Sequence, residues 1–177
     1  DAHPSGRVLA GSGEVNSSRS SYAGNGVYLS DDHGATWRHA GLEGSHHIGR
    51  VIIDRVNPDR MWVAALGELY SDNLGGALYR TIDGGARWEA VLTVPGVGSV
   101  DMVADETDPD HLFAASWDRT RRAHDFTEGG TGSGIWESTD GGDSWARISE
   151  DNDFPEGPDS GRIGLSYHSA TGTLFAL

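Results

Sequence analysis

Three segments of the chain repeat one eight-residue pattern, and this repeat constrains the fold more than any other feature of the sequence. The segments SDDHGATW (30–37), TIDGGARW (81–88) and STDGGDSW (138–145) all fit Ser/Thr-x-Asp-x-Gly-x-x-Trp. Their aspartates, at positions 32, 83 and 140, are 51 and 57 residues apart. A period of this length predicts a chain assembled from repeated structural units.

Short alternating runs on both sides of each segment predict strands. The runs GVYLS (26–30), ALYRT (77–81) and GIWES (134–138) precede the repeats, and TWRHA, RWEAVL and SWARI overlap their ends and follow them. Apolar, β-branched and aromatic residues at a period of two are typical of half-buried strands. Each repeat is therefore predicted to form the turn of a β-hairpin.

Two further strands recur in each unit, so that each unit has four. One is GRVIID (49–54), echoed by SVDMVAD (99–105) and GRIGLSY (161–167); the other is MWVAALG (61–67), echoed by RVLAGSG (7–13), HLFAASW (111–117) and TLFAL (173–177). Four-stranded units at this spacing predict an all-β fold, a β-propeller of four-stranded antiparallel blades.

The repeats predict about three and a half blades in one partial propeller domain. The expected blades lie at approximately 1–42, 43–95, 96–150 and 151–177. Because a single-chain propeller has roughly 4–8 blades, we expect an excerpt of a longer propeller. The alternative is that a second copy of the chain completes the ring.

Composition excludes several classes of partner. The chain has 27 acidic residues, 13 basic residues and no lysine, for a net charge of −14, which argues against binding to nucleic acid or to an anionic membrane. No run approaches the roughly 18 apolar residues of a membrane span, so no membrane insertion is predicted. Cysteine is absent, which excludes disulfides and thiolate chemistry. The arginine-only basic set is typical of a GC-rich genome or of a halophile.

The repeated segment resembles the Asp-box, or BNR repeat, of sialidases, sortilin-like receptors, xyloglucanase-like glycoside hydrolases and photosystem assembly factors. Stretches such as GVYLSDDHGATW and NPDRMWVAALGELY resemble large bacterial secreted proteins described as sortilin-like or BNR-repeat glycosyl hydrolases. The resemblance implies a β-propeller and a location outside the cell, in the periplasm or in the envelope. It specifies the fold and leaves the activity open.

Physical chemistry favours a structural role for the repeated segments over a catalytic one. A short aspartate accepts backbone N–H bonds in its own turn, glycine adopts positive φ without steric cost, and tryptophan covers the hairpin. A catalytic acid, by contrast, is one residue and not one per blade. The predicted structural positions are Ser30, Asp32, Gly34, Trp37, Thr81, Asp83, Gly85, Trp88, Ser138, Asp140, Gly142 and Trp145.

Long irregular loops predict that ligand binding occurs at the opposite ends of the strands. These loops are 14–25, 41–48, 68–76, 118–133 and 150–160. Three acids, Glu14, Glu68 and Asp118, recur there at matched strand ends. Arg50 and Arg162 lie at the start of innermost strands, and Ser99 lies at the corresponding position of the middle unit. The acids and arginines either bind a ligand or form ion pairs between blades. The candidate binding residues are Glu14, Arg19, His46, His47, Arg50, Glu68, Tyr70, Asp118, Arg119, Arg121, Arg122 and His124.

The stretch DRTRRAHDF (118–126) is the most basic part of an acidic chain. Its arginines can recognise a carboxylate or sulfate by forked hydrogen bonds, or simply offset the acidic surface. Tyr22, Tyr70, Trp117 and Phe126 either stack on sugar rings or belong to the core. Consecutive histidines on a strand point to opposite faces, so His46 and His47 are a poor chelate, and neither a metal site nor a cofactor is predicted.

We therefore expect a binding or interaction propeller of a larger secreted or envelope protein, with a glycan or a protein segment as the ligand. The alternative is a glycoside hydrolase, xyloglucanase-like or sialidase-like, that uses carboxylates as acid and base. A sialidase would require an arginine triad and a Tyr–Glu pair, which the sequence does not reveal. A third hypothesis is an assembly or scaffold role.

Overall fold

The structure is a computed structural model that describes residues 1–71, 74–151, 153–155 and 157–177. Over these ranges the chain is all-β, as predicted, with antiparallel sheets and one 3₁₀ turn at Ser149–Asp151. None of the described segments forms a helix long and apolar enough to cross a membrane. The predicted loops 68–76 and 150–160 include residues 72, 73, 152 and 156, which lie outside the described ranges.

Three successive sheets carry the three repeated segments. The first contains β1 (Val8–Gly11), β2 (Val27–Ser30) and β3 (Arg38–His39), and a bridge from Ala2 to Val8 adds a short inner segment. The second contains, in spatial order, β4 (Ile48–Ile53), β5 (Met61–Leu66), β6 (Gly76–Thr81) and β7 (Glu89–Leu92).

The third sheet contains β8 (Gly98–Ala104), β9 (Leu112–Trp117), β12 (Gly134–Ser138) and β13 (Ala146–Arg147). Between its two middle strands, β10 (Thr120–Arg121) and β11 (Phe126–Thr127) form a separate small hairpin, which the sequence analysis treated as irregular loop. The fourth sheet contains β14 (Leu165–His168) and β15 (Thr173–Ala176).

The sheets pack face to face, and apolar side chains fill the space between them. Strands β5 and β9 are buried along their whole length, in agreement with their continuous apolar sequences. Between the second and third sheets, Trp62 and Met102 pack with small residues such as Ala64 and Ala114. Two further clusters fill the first–second and third–fourth interfaces. Each sheet therefore depends on its neighbours for a core.

The repeated segments, which we call the repeat turns (30–37, 81–88 and 138–145), lie at the same end of the sheets as the turns between the first two strands of each unit. One backbone hydrogen bond joins the two turns in each of the first three sheets. These bonds run from His33 N to Gly6 O (2.8 Å), from Gly84 N to Asp59 O (3.0 Å) and from Gly141 N to Asp110 O (2.9 Å). We call this end the turn face and the opposite end the long-loop face.

Arginine side chains on the turn face connect one sheet to the next. Arg7 pairs with Asp31 of its own sheet (2.7 Å) and reaches the second sheet, where it binds Asp59 and Pro58 O (2.9 Å). Arg60, at the equivalent position, pairs with Asp54 (2.6 Å) and reaches the third sheet.

The acceptors of Arg60 repeat those of Arg7. They are the carboxylate of Asp110 (2.5 Å) and the carbonyl of Pro109 (3.4 Å). In both cases an arginine before the second strand of one unit binds a Pro-Asp turn of the next unit. We call these two contacts the arginine bridges.

The joint between the third and fourth sheets is built differently. His111 occupies the position of Arg60, and the fourth sheet has Ser169–Gly172 where the second and third sheets have a Pro-Asp turn. The His111 ring binds Glu137 (Nε2 to Oε1, 2.7 Å) and packs against Phe113 and Tyr167, with ring centroids 4.6 Å and 5.6 Å away. Both partners of the arginine bridge are thus replaced together.

We predict that Arg60→Ala lowers the free energy of unfolding by about 2–3 kcal/mol, because the buried Asp54 carboxylate loses a charged hydrogen-bond donor. The control is Arg55→Ala. Arg55 joins the same two sheets through an exposed pair with Glu106 (3.2 Å), and its loss should cost under about 0.5 kcal/mol. Urea denaturation measures both values, and equal losses would contradict the role of the bridge.

Candidate functional site

In the first and third repeat turns, both carboxylate oxygens of the aspartate accept hydrogen bonds from the turn itself. Ser30 Oγ donates to Asp32 (2.7 Å) and accepts from Gly34 N (2.8 Å), while Thr36 donates to Asp32 through both its backbone N (2.8 Å) and its hydroxyl (2.6 Å). The third turn repeats every bond, with Ser138, Asp140, Gly142 and Ser144 in these roles.

The second repeat turn keeps the network except for one bond. Thr81 donates to Asp83 (2.9 Å) and accepts from Gly85 N (3.0 Å), and Arg87 N donates to the aspartate (2.9 Å). The last hydroxyl bond is missing because arginine stands where the other turns have threonine or serine.

These bonds hold the aspartates ionised. The hydroxyl of Thr36 lowers the pKa of Asp32 to about 2, and that of Ser144 does the same for Asp140. The pKa of Asp83 is also lowered, mainly by the backbone N–H of Arg87. A carboxyl that is ionised at neutral pH and bonded within its own turn is unsuited to donate a proton.

The repeat-turn tryptophans lie at or near sheet interfaces. Trp88 donates from its indole to Ala40 O of the first sheet (2.7 Å), whereas Trp37 is 46% exposed and donates to Gly34 O of its own turn (3.0 Å). Trp145 packs beside Trp62 in the cluster between the second and third sheets. The repeat turns thus combine local hydrogen bonds with contacts between sheets.

On the long-loop face, the loops of the first three sheets hold one another by hydrogen bonds. The contacts run from Gly24 N to His46 O (2.7 Å), from Ser45 Oγ to Gly75 O (2.7 Å), from Tyr70 Oη to Arg19 O (3.1 Å) and from Arg119 Nη1 to Leu69 O (3.5 Å). The four predicted loops between 14 and 133 therefore form one continuous surface.

The structure brings five of the predicted binding residues together. His46 Nε2 lies 4.0 Å from Glu68 Oε1, and the His46 and His47 rings meet edge to face at 6.5 Å. His47 is 1% exposed; burial, and secondarily the charge of Arg119, lowers its pKa, while nearby Glu14 acts in the opposite direction. At neutral pH the His47 ring is therefore uncharged.

Two of the candidate arginines are buried. Arg119 is 1% exposed; burial lowers its pKa to about 10, so it remains a cation at neutral pH. Arg121, in the β10–β11 hairpin, is 8% exposed and lies 4.2 Å from the Phe126 ring. Arg122 and His124 are exposed at the hairpin tip. Among the basic side chains of this described stretch, these two are the exposed ones.

The three matched acids have different surroundings. Glu14 accepts a hydrogen bond from Tyr22 N (3.2 Å), and Asp118 accepts one from Gly132 N (3.1 Å) within its own loop. Among the described residues, the carboxylate of Glu68 has only the distant contact with His46. Asp118 therefore stiffens a loop, whereas Glu14 and Glu68 keep carboxylate oxygens available.

Arg50 belongs to the inner strands rather than to the loop cluster. Its guanidinium binds Asp101 of the third sheet (2.7 Å), and Asp101 also accepts from Leu165 N of the fourth sheet (2.9 Å). One ion pair between sheets is thus present, although its acid is not one of the matched three. Arg162 lies over the Trp117 ring at 6.0 Å.

The strand register corrects the sequence alignment at this position. The sequence pattern predicts that Ser99 is the residue of the third sheet equivalent to Arg50. In the structure Arg50 pairs with Ala64, and Ala115, which is equivalent to Ala64, pairs with Asp101. Both inner strands carry the same bulge just before this pair, so they stay in step with each other. The position equivalent to Arg50 is therefore Asp101, and matching the first residues of the two strands led to Ser99 instead.

Two concave regions accompany these residues. A groove of about 960 Å³ follows the inner strands β4, β8 and β14, and Arg50 and Tyr167 line it. A hollow of about 670 Å³ on the long-loop face lies between the third and fourth sheets, lined by Asn16, Trp117, Phe126, Pro158 and Arg162. The described residues contain no cluster of three or more metal-binding side chains.

Solved structures with a similar fold include three GH74 enzymes. An ancestral GH74 enzyme matches 88% of this chain with 17% identity and a TM-score of 0.64. The GH74 enzyme of Niastella koreensis matches 85% with 20% identity and a TM-score of 0.60, and the GH74 xyloglucanase of Xanthomonas campestris matches 90% with 20% identity and a TM-score of 0.58.

This chain spans about a fifth of each of these enzymes, namely 20%, 21% and 22% of their lengths. They are β-propeller proteins, and at this level of identity the likeness concerns the fold: the antiparallel sheets are arranged like part of a propeller. No family model and no curated protein sequence matches the chain.

We predict that Ser138→Ala lowers the free energy of unfolding by about 1–3 kcal/mol, because the buried Gly142 N–H loses its acceptor. Ser138→Thr should be tolerated, since Thr81 holds the equivalent position. Thermal and urea unfolding measure both. A stable Ser138→Ala variant that loses ligand binding would instead indicate that the turn belongs to a functional site.

The lowered pKa values of Asp32 and Asp140 predict acid sensitivity. Their stabilising contribution is complete above the ordinary aspartate pKa of 3.8 and is lost as the pH falls from there toward about 2. The melting temperature of Asp140→Asn should therefore fall less between pH 4 and pH 2 than that of the natural chain. Parallel melting curves over this range would contradict the prediction.

Proposed function

We propose that this chain is part of a binding propeller whose long-loop face recognises a glycan or a protein segment. Its sheets would be blades, about three and a half in number, of a ring completed by further blades of the same chain or by a second copy. We infer a location outside the cell or in the cell envelope from the kinds of protein that the sequence resembles.

The contrast between the two faces supports this proposal. On the turn face, carboxylates such as Asp32, Asp54 and Asp140 are used by local hydrogen bonds or by the arginine bridges. On the long-loop face, loops from three sheets interlock and leave the carboxylates of Glu14 and Glu68 open to solvent. A rigid scaffold that presents loops with available polar groups is the usual arrangement of a binding surface.

Aromatic side chains strengthen the proposal. Tyr22 is 78% exposed and Tyr70 is 57% exposed, and both belong to these interlocked loops. Because Tyr70 Oη is bonded to Arg19 O, at least one of the two rings is held in place rather than free to turn. Fixed aromatic rings beside polar groups suit both glycans and protein segments.

The proposal is tested by binding of the chain to a glycan array and a peptide array. Tyr70→Ala should weaken binding to the best ligand about tenfold, the loss typical of an aromatic anchor. The control is Ile82→Ala, which removes a residue of similar exposure (69%) from the turn face. Loss of binding in Ile82→Ala, with no loss in Tyr70→Ala, would place the binding site on the turn face and contradict the proposal.

A glycoside hydrolase is the second candidate. It is favoured by the placement of Glu14 and Glu68 around one histidine pair, since glycosidases use two carboxylates, and by the GH74 enzymes among the similar structures. In this case xyloglucan or aryl glycosides would be hydrolysed, and Glu68→Gln would abolish turnover. Asp118→Asn is the matched variant, because Asp118 is bonded within its own loop. Turnover that depends on Glu68 would overturn the binding-only proposal.

A further inference from the structure

The first two long loops present the same local arrangement. In each, the backbone N–H of the acid at the strand end donates to the carbonyl of an exposed apolar residue later in the loop. The bonds are Glu14 N to Tyr22 O (3.1 Å) and Glu68 N to Leu74 O (3.0 Å). Two adjacent sheets thus each pair a carboxylate with a large apolar side chain.

The apolar side chains of this arrangement are open to solvent. Tyr22 is 78%, Leu74 66% and Tyr70 57% exposed. The bond from Tyr70 Oη to Arg19 O ties the second loop to the first, so the exposed groups belong to one surface. We call Glu14, Tyr22, Glu68, Tyr70 and Leu74 the tyrosine–glutamate surface. Exposed apolar groups gathered in this way are typical of an interaction site.

A buried polar group lies beneath this surface. The His47 ring is in electrostatic contact with Glu14 and edge to face with His46, which in turn approaches Glu68. Burial lowers the pKa of His47, so its ring is uncharged at neutral pH. The ring therefore adds no positive charge beneath the two carboxylates, which remain accessible to an incoming partner.

Charge indicates what that partner is. The chain has 27 acidic and 13 basic residues, and the two carboxylates of the surface keep free acceptor atoms. By comparison, the exposed Val56 and Ile82 of the turn face stand beside Asp54 and Asp83, whose carboxylates are already bonded. Of the cations in these loops, Arg119 is buried, whereas the carboxylates of Glu14 and Glu68 are accessible to solvent. Accessible carboxylates beside exposed tyrosine rings attract guanidinium and ammonium groups through ion pairs and cation–π contacts.

We propose that the tyrosine–glutamate surface docks a basic segment of a partner protein. Lysine or arginine side chains of the segment pair with Glu14 and Glu68, while its apolar side chains pack on Tyr22, Tyr70 and Leu74. This assignment rests on the proposed binding function of the long-loop face and narrows its ligand to a cationic peptide. Arg19, on the same loop, repels such a segment and so provides a discriminating test.

The experiment measures binding of the whole chain to three probes by fluorescence anisotropy. The probes are a labelled octapeptide of alternating arginine and leucine, its counterpart with glutamate for arginine, and a labelled neutral xyloglucan oligosaccharide. We expect the basic peptide to bind and the acidic one not to bind. Raising the salt concentration from 50 to 500 mM should weaken binding at least fivefold, because exposed charges are screened.

Variants then locate the site. Glu14→Gln with Glu68→Gln should weaken binding of the basic peptide at least tenfold, and Tyr22→Ala with Tyr70→Ala should do the same. Arg19→Ala should strengthen it two- to fivefold. The matched control is Glu89→Gln with Ile82→Ala on the second sheet, which should leave binding unchanged. All substituted side chains are partly or largely exposed, and circular dichroism verifies the fold.

Three results would overturn the proposal. Equal binding of the basic peptide by the glutamine variant would mean general attraction to an acidic protein. Binding of the acidic peptide that weakens in Arg19→Ala would indicate an anionic ligand. Binding of the oligosaccharide but not of the peptide, with the same variants impaired, would leave the binding function standing and assign the surface to sugars. Failure of the broader function is recognised separately, by the absence of any array ligand that depends on the long-loop face.

Discussion

The arginine bridge is the interaction on which the arrangement of the sheets depends. Apolar packing between sheets is strong but not directional, and on its own it fixes neither the height nor the rotation of one sheet against the next. Arg7 and Arg60 supply that direction, because each reaches from its own sheet to both a carboxylate and a carbonyl of the following Pro-Asp turn. Two acceptors of different geometry leave the guanidinium little freedom to shift.

The repeat turns make this bridge possible. A hydrogen bond from each repeat turn to the neighbouring turn of its own sheet, such as Gly84 N to Asp59 O, holds the Pro-Asp turn where the arginine arrives. The repeat turn itself is held by the hydrogen bond from the Thr81 hydroxyl to Asp83. Polar groups on this face therefore serve the fold. The long-loop face does not contribute to these contacts, and its loops vary in length and carry carboxylates without such bonds and exposed aromatic rings.

Sequence reasoning was most successful where the chain repeats itself. Three copies of one pattern were enough to predict the hairpins and the four strands of the second and third sheets, because each copy supports the others. The aspartate network was foreseen in type, since a short acid among hydroxyls and glycines has few other uses. Even the absence of one bond in the second turn follows from Arg87 in the sequence.

The loops were less predictable, because their contacts are made between distant parts of the chain. The arginines at 119 and 121 looked like exposed ligand-binding groups; burial depends on the β10–β11 hairpin and on the neighbouring loops, which no local pattern encodes. The partner of Arg50 was missed because the strand starts, and not the strand pairings, were matched between the two units, whereas the observed register makes Asp101 the equivalent residue. A small error in register changes which side chain faces which, and periodicity alone does not detect it.

The joint between the third and fourth sheets shows how both faces are connected. On the turn face, His111 replaces the arginine, and an aromatic contact with Tyr167 replaces the Pro-Asp turn, so a guanidinium with two acceptors gives way to ring packing. On the long-loop face, the same pair of sheets is separated by the hollow beside Trp117. The two sheets are still joined by directional contacts, because Leu165 N donates to Asp101 (2.9 Å) and Glu106 N donates to Ser169 Oγ (2.9 Å). The chain thus combines two joints held by arginine bridges with a third held by backbone hydrogen bonds to side chains and by ring packing.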